Sequence, residues 1–387
     1  MRGSRVMTEP STLSCMHRPP CPGCPRFGAG LSADHPELAA LSELAERAGI
    51  ALELDASGPV LGYRQRARLA VRGRMDAPQI GIFEQGTHRA LHIPRCLVHH
   101  PLVNEVSTTL AQALRELRVP PYADATHRGV VRYLQVVVER ASRSAQVVLV
   151  VNGTEHEGLA PLLVRLRERL GERLHSLFLS DHRARSNAIL GPRCERVHGP
   201  AAVRESIAGA SVFFPPDAFG QSNLGLYERI VERIGSMVPD GSDVLETYAG
   251  TGPIGLSLLP RVARVRFNES AAGSLAGLRM GVEALSPELQ ARCELHPGPV
   301  AEHLALAQQG ELVIADPPRK GLDAGLLQAL CARPPARFVY LSCGLPALLR
   351  DAQALIASGA LQLQELIAYD LFPFTAHVET LARFERV

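Results

Sequence analysis

Near the carboxyl end of this 387-residue chain, the apolar run Val339-Tyr340-Leu341-Ser342 ends on Cys343-Gly344, and Phe372-Pro373-Phe374-Thr375-Ala376-His377-Val378 leads into Glu379. A soft nucleophile and a carboxylate thus each cap a strand-like segment. A thiolate can add to an electron-poor ring carbon and leave again, and a carboxylate can remove the proton that the addition makes acidic. The pair therefore points to covalent catalysis. A single cysteine after an apolar strand is more often inert core, so the company of Cys343 decides its meaning.

That company has to be positioned by regular elements. Asp243-Val244-Leu245-Glu246 reads as a short buried strand running into Tyr248-Ala249-Gly250-Thr251-Gly252 and an apolar helix, the first strand–turn–helix of a doubly wound sheet. Gly250 and Gly252 let the backbone approach a ligand closely. Roughly 20 residues on, Val262 to Glu269 reads as a second strand ending in an acid, the usual place for a carboxylate that holds a ribose. The third glycine of a dinucleotide fingerprint and a Walker lysine are both missing, so a nucleoside cofactor without a cradled phosphate fits better than NAD or ATP. A third strand, Glu311 to Ala315, delivers Asp316-Pro317-Pro318-Arg319-Lys320-Gly321 to the same edge. Its two prolines stiffen the loop and leave Asp316 to accept hydrogen bonds.

In order, these segments resemble the uracil-5 RNA methyltransferase family, which uses S-adenosylmethionine. Phe219-Gly220-Gln221-Ser222-Asn223 is similar to its Phe-x-Gln-x-Asn segment and Glu246 to Gly252 to its cofactor loop. Asp316 to Gly321 resembles Asp-Pro-Pro-Arg-x-Gly, Tyr340 to Asp351 the nucleophile motif, and Phe372 to Glu379 the closing Phe-Pro-x-Thr-x-His-Val-Glu. The resemblance implies that Cys343 attacks carbon 6 of a uracil, that carbon 5 takes the methyl group, and that Glu379 removes the carbon 5 proton. It further implies that Asp316 and Gln221 hold the base edge or the cofactor amine, that Tyr248 packs on the cofactor beside Gly250, and that Glu269 binds its ribose. A target carbon inside a stacked helix must be flipped out or presented in a loop. Four positions depart from the pattern: Ala249 replaces a Cys of the cofactor loop, Pro253 an Asn, Gly344 the Asn after the nucleophile, and Gly298 a polar cofactor contact. None of them performs the covalent chemistry.

At the amino end, Cys15, Cys21 and Cys24 are separated by five and two residues, and Cys96 follows at a distance. Three close cysteines and a remote fourth suit the thiolate ligands of an iron–sulfur cluster, and the arrangement matches the cluster-bearing branch of the same family, which implies a 4Fe-4S group. Zinc on four cysteines is the main rival, because ligand count does not choose between them. Disulfides are less expected in a chain that reads as cytoplasmic and shows no secretory signal. Cys194, Cys293 and Cys331 lack such spacing and read as ordinary thiols. Only 14 residues precede Cys15, so the small RNA-binding barrel that many family members carry there is expected to be absent.

At 46% hydrophobic the chain can bury large cores, and no apolar run reaches the roughly 18 residues of a membrane span. A formal net charge of +2 does not announce nucleic-acid binding. Local charge says more. Lys320 is the only lysine, so positive charge is almost entirely guanidinium, suited to bidentate phosphate contact and base stacking. Between Tyr63 and Arg74, arginines 64, 66, 68, 72 and 74 share one parity while Tyr63, Ala67, Leu69 and Val71 take the other. On a strand this places a basic stripe opposite an apolar face, and Arg64, Arg66 and Arg68 become candidates for an RNA track.

The expected class is α/β in three parts. Residues 1–30 form a cysteine-rich iron–sulfur segment and residues 31–210 a central α+β RNA-binding domain that contributes Cys96. Residues 211–387 form a Rossmann-like class I methyltransferase domain. The central part is expected to hold a helix at Pro36 to Ala48, a hairpin of Arg132 to Val138 and Gln146 to Val151, a helix at Leu159 to Leu170 and a strand at Leu174 to Leu179. RNA is the expected partner, ribosomal RNA before transfer RNA on family resemblance, with no membrane association and a monomeric chain. Two other classes compete: a silent RNA-binding protein that kept the fold, and a methyltransferase of another nucleobase, DNA or protein. Intact Cys343 and Glu379 weigh against the first. The Ser342-Cys343 context, unlike the Pro-Cys of cytosine-specific enzymes, weighs against the second.

Overall fold

The computed structural model describes residues 13–31, 35–307 and 312–387. Glu311 of the expected third strand and the first 12 residues of the cysteine-rich segment lie outside them. Two large sheets dominate. The first has eight strands in the order Leu52–Asp55, Leu361–Tyr369, Glu379–Arg386, Arg337–Ser342, Leu312–Ala315, Asp243–Thr247, Arg264–Glu269 and Cys293–Pro297. All run parallel except Glu379–Arg386, which is antiparallel to both neighbours. Near-continuous apolar strands such as Leu312–Ala315, buried at every residue, are what a sheet covered on both faces requires. The doubly wound reading of residues 211–387 is what the molecule adopts.

The domain division differs at two places: the paired strands Val203–Ile207 and Ala210–Phe214 straddle the expected boundary at 210 and pack in the carboxyl-terminal core, and residues 35–55 change sides. The Pro36–Ala48 helix forms with the expected bounds, started by His35, whose side chain accepts from the Glu37 N–H, and stopped by Gly49 at φ 71°. Its apolar stripe of Leu38, Leu41 and Leu44 is buried against the carboxyl-terminal core, with Leu361, Leu363 and Leu366 in the same group. The Leu52–Asp55 strand then pairs in parallel with Leu366–Tyr369. Residues 35–55, expected in the central part, therefore complete the carboxyl-terminal sheet.

The second sheet has seven strands: Ala90–His92, Ala77–Phe83, Arg66–Arg74, Val131–Glu139, Ser144–Val151, Leu174–Asp181 and Glu195–His198. The expected hairpin is present, and the Leu159–Leu170 helix makes the crossover to a parallel strand. One face of this sheet is packed by that helix and by Pro101–Glu116, giving a core of Leu69, Val71, Leu110, Leu134, Val147 and Leu162 among others. The opposite face meets residues 203–222. There Gln135 Nε2 donates to the Pro216 carbonyl at 2.6 Å and Arg66 Nη1 to the Ala218 carbonyl at 2.8 Å. Among the described residues no helix is long and apolar enough to cross a membrane.

Candidate active site and cysteine site

A parallel sheet brings the ends of its strands to one edge, where open α/β sheets bind ligands. Here that edge collects Tyr248, which follows Thr247, then Glu269, Asp316, which follows Ala315, and Cys343, which follows Ser342. The antiparallel strand joins them from the other direction, because it begins at this edge. Ser342 pairs with Thr380, so Glu379 stands beside the position of Cys343.

Glu379 is fully buried, and neither of its carboxylate oxygens has a hydrogen-bond partner. A buried polar group left unpaired is costly and calls for a function. Burial, then the neighbouring Asp316, pushes its carboxyl well above the usual range, and the Arg319 guanidinium opposes this. Burial likewise raises Asp316 to about 7. The Cys343 thiol is pushed up to about 11, by burial first and then by Glu379 and Asp316, with Arg319 again opposing. A half-buried nucleophile, one buried and one half-buried carboxyl and an exposed guanidinium thus stand close enough for the negative charges to oppose one another.

The cofactor loop is built on unusual backbone. Tyr248 has φ 58°, Gly250 60° and Gly252 79°. The Gly250 N–H donates to Glu269 Oε2 at 2.7 Å, and Glu269 Oε1 accepts from Ser270 and Ala271. The Tyr248 hydroxyl accepts from the Asp323 N–H at 2.9 Å, tying the cofactor loop to the loop after Asp316. Glu246 is buried and accepts from the Gly255 N–H at 2.8 Å, and burial lifts its carboxyl to about 8. Gln221 is set apart from this group. It lines a small seam against the second sheet with Arg66, Phe214 and Leu224, its Oε1 buried without a partner.

Two departures from the family pattern have local causes. A side chain at Gly344 would meet the Arg319 carbonyl oxygen at 2.5 Å, so the Asp316 loop leans directly on the residue after the nucleophile. Gly298 has φ 121°, a conformation closed to other residues.

Several participants escaped the sequence reading. Tyr227 is buried one turn after Asn223, and burial, then the charges of Asp316, Glu246 and Glu379, raises its hydroxyl. Arg319 lay inside a quoted motif without a role. Phe219 is 65% exposed, an unusual position for a phenylalanine next to buried Gly220 and Gln221.

The arginine stripe is corrected by the structure. Arg66 is buried, bonded to Ala218 and packed over the Phe214 ring at 5.4 Å. Arg72 is buried against Asp124, with Phe83, Tyr122 and Tyr133 around its guanidinium. Arg64 is half-buried and lines the cysteine cavity. Only Arg68 and Arg74 are exposed, the first donating to Gln135 at 2.7 Å and the second paired with Asp76. Residues 214–222 cover Arg66 and other groups bury Arg72, so the even-numbered face is no continuous basic surface.

Cys15, Cys21, Cys24 and Cys96 are all free thiols lining one cavity of about 180 Å³, together with His17, Arg18, Phe27, Tyr63, Arg64 and His99. Burial, then the other three sulfurs, raises the Cys24 thiol to about 11. Among the described residues no group of three or more His, Cys, Asp or Glu side chains is gathered as a site for a metal ion. The four thiols share a cavity without converging on a point.

No protein-family model matches the chain. It is 35% identical over 335 residues to an uncharacterized RNA methyltransferase of Protochlamydia amoebophila, a match covering 85% of this chain and 87% of the relative. It is 31% identical over 337 residues to another from Geobacter sulfurreducens, covering 83% of this chain and 65% of that protein. Among solved structures, the tRNA (uracil-54, C5)-methyltransferase of Pyrococcus abyssi in complex with S-adenosyl-L-homocysteine superposes with a TM-score of 0.72 at 22% identity, over 90% of this chain and 81% of that one.

Proposed function

The chain belongs to a family of RNA methyltransferases, and on that premise we propose that it is a uracil-5 enzyme, one that methylates carbon 5 of a uridine in RNA through a covalent Cys343 adduct that Glu379 resolves. The observation that carries this reading is the adjacency of Cys343 and a fully buried, unpaired Glu379 at one sheet edge. The fold and the enzyme class, an S-adenosylmethionine-dependent RNA methyltransferase, are those of its relatives.

Cys343 Sγ adds to carbon 6 of the uracil as the thiolate, its proton having passed to solvent, and the ring electrons move to carbon 5. S-adenosylmethionine would supply the electrophilic methyl group that carbon 5 takes, leaving as S-adenosylhomocysteine. The Glu379 carboxylate then removes the carbon 5 proton. That electron pair re-forms the ring double bond, and the carbon–sulfur pair returns to Cys343. Arg319 offsets the negative charge that passes between the two residues. In this reading Glu269 and the Gly250 turn would hold the ribose, Tyr248 would pack on the adenosine, and Asp316 would hold a base edge or amine, a role that Gln221 would share only from its seam against the second sheet.

Cys15, Cys21, Cys24 and Cys96 would hold an iron–sulfur cluster, a reading supported by their sequence spacing and by the cavity that all four line with other residues; zinc on the same thiols is its rival. The group would supply four metal–thiolate bonds that staple the amino-terminal segment onto the second sheet. Arg68 and the exposed Phe219 are the surface groups we assign to RNA, with ribosomal RNA first and transfer RNA second. Mapping 5-methyluridine in both RNA classes from a deletion strain tests the assignment. RNA unchanged at every uridine would overturn it.

A further inference from the structure

Residues 370–378 carry no helix or strand, yet they deliver the base Glu379 to the site. Their anchors come largely from the amino-terminal third of the chain. The Phe374 carbonyl accepts from the Arg26 N–H at 3.0 Å, and the Pro373 carbonyl from the Tyr63 hydroxyl at 3.2 Å. The Phe374 ring lies 5.0 Å from Phe27 and is buried with Tyr63 and Val98, against Cys24 and Cys96. At the other end, a Glu37 carboxylate oxygen accepts from the Val378 N–H at 2.8 Å, one residue before the base. Phe374 also has φ 68°. A bulky residue keeps such a backbone only where its surroundings impose it, and here they are the cysteine-bearing segment and its partner loop.

We propose that Phe374 and Glu37 are positioning residues for the Glu379 carboxylate, so that packing of the cysteine-bearing segment sets the geometry of the base. The inference rests on Glu379 being the base that breaks down the adduct. In that step Glu379 takes the carbon 5 proton, the freed pair re-forms the ring double bond, and the carbon–sulfur bond breaks toward Cys343. Addition and methyl transfer use other groups. A displaced base therefore slows release alone.

The test is single-turnover methylation with the full-length protein, following methyl transfer and release of the covalent enzyme–RNA species separately. Phe374→Ala and Glu37→Ala should slow release by up to roughly 10²-fold, the cost of misplacing a reacting group by about 1 Å, with S-adenosylmethionine affinity unchanged. Phe27→Ala, on the cysteine-bearing segment itself, should do the same. Phe374→Leu, which keeps apolar volume, and Glu37→Gln, which keeps an acceptor, should restore release. Hydrogen exchange of residues 370–380 should quicken in the three alanine variants while residues 247–255 stay protected. Normal release in Phe374→Ala, with exchange of 370–380 quickened, overturns the inference. If Glu379→Gln itself accumulates no adduct, the covalent reading fails instead, and unchanged Val378 exchange in Glu37→Ala would overturn the clamp independently.

Discussion

Thr380 lies opposite Ser342 in an antiparallel ladder, and that register places Glu379 and Cys343 at one edge although their strands run in opposite directions. A slip of one residue would turn Glu379 to the other face of the sheet. The ladder is buried on both sides, with Leu341 and Leu381 in one core and Tyr340 and Ala382 in the other, so the register is strongly fixed. Nucleophile and base are thus set by the sheet's own hydrophobic pattern.

If the two residues act as assigned, replacing each stops the reaction at a different stage. Cys343→Ala should abolish turnover and leave S-adenosylmethionine binding intact. Glu379→Gln should instead trap a methylated enzyme–RNA adduct visible by denaturing electrophoresis. Turnover by the Cys343 variant at the wild-type rate would sink the nucleophile assignment.

The five ordered motifs and the helices Pro36–Ala48 and Leu159–Leu170 were legible from local signals, because caps, apolar spacing and strand-end chemistry are local. Partners were not. The Leu52–Asp55 strand went unread, because its pairing with Leu366–Tyr369 crosses some three hundred residues and leaves no mark in four letters. The arginine alternation gave the two faces of the strand correctly. It could not reveal that residues 214–222 cover Arg66, which turns that residue from a candidate phosphate ligand into an interface residue. Phe374 and Glu37 escaped for the same reason, since their importance lies in contacts between opposite ends of the chain.

The pH dependence follows from Asp316 and Glu379 sharing one pocket. Both carboxyls are raised, Asp316 to about 7 and Glu379 well above the usual range, so the ionised base becomes more abundant as pH rises and the rate should climb with it. Asp316→Asn removes a negative neighbour, which lowers the ionisation of both Glu379 and Cys343. The acid limb of the single-turnover profile should therefore move to lower pH, even though the rate itself drops. An unmoved midpoint would show that the two carboxyls are not coupled in function.

Stability should carry the same signature at Glu246. Its folded-state carboxyl is raised to about 8, so between its unfolded value and pH 8 the native chain holds a proton that the unfolded chain releases. Stability must then fall as pH rises across that window. Glu246→Gln can still accept from the Gly255 N–H and has no charge to bury. It should gain on the order of 2 kcal/mol at pH 8 and show a flatter pH dependence of Tm. Parallel wild-type and variant curves would refute the buried-carboxyl account.

Anaerobically purified protein should contain about four iron atoms per chain with acid-labile sulfide. Cys24→Ser should lose both and expose the amino-terminal segment to protease. Stoichiometric zinc without iron or sulfide would replace the cluster and leave the four-thiol site standing.

The last prediction separates exposed from buried arginine. Each phosphate contact contributes roughly 0.7 to 0.9 to the slope of log affinity against log salt. Arg68 is exposed and Arg66 is not, so Arg68→Gln should lower that slope by about one while leaving Tm near the wild-type value. Arg66→Gln loses the bond to Ala218 and the packing on Phe214, and should lower Tm with the slope unchanged. Phe219→Ala should weaken RNA binding by roughly 1 to 3 kcal/mol at every salt concentration, the signature of a lost stacking surface in which no counterion is released. RNA affinities of the three variants across a salt series decide the matter. A slope that falls with Arg66→Gln and stays with Arg68→Gln would mean that the 214–222 segment lifts away when RNA binds.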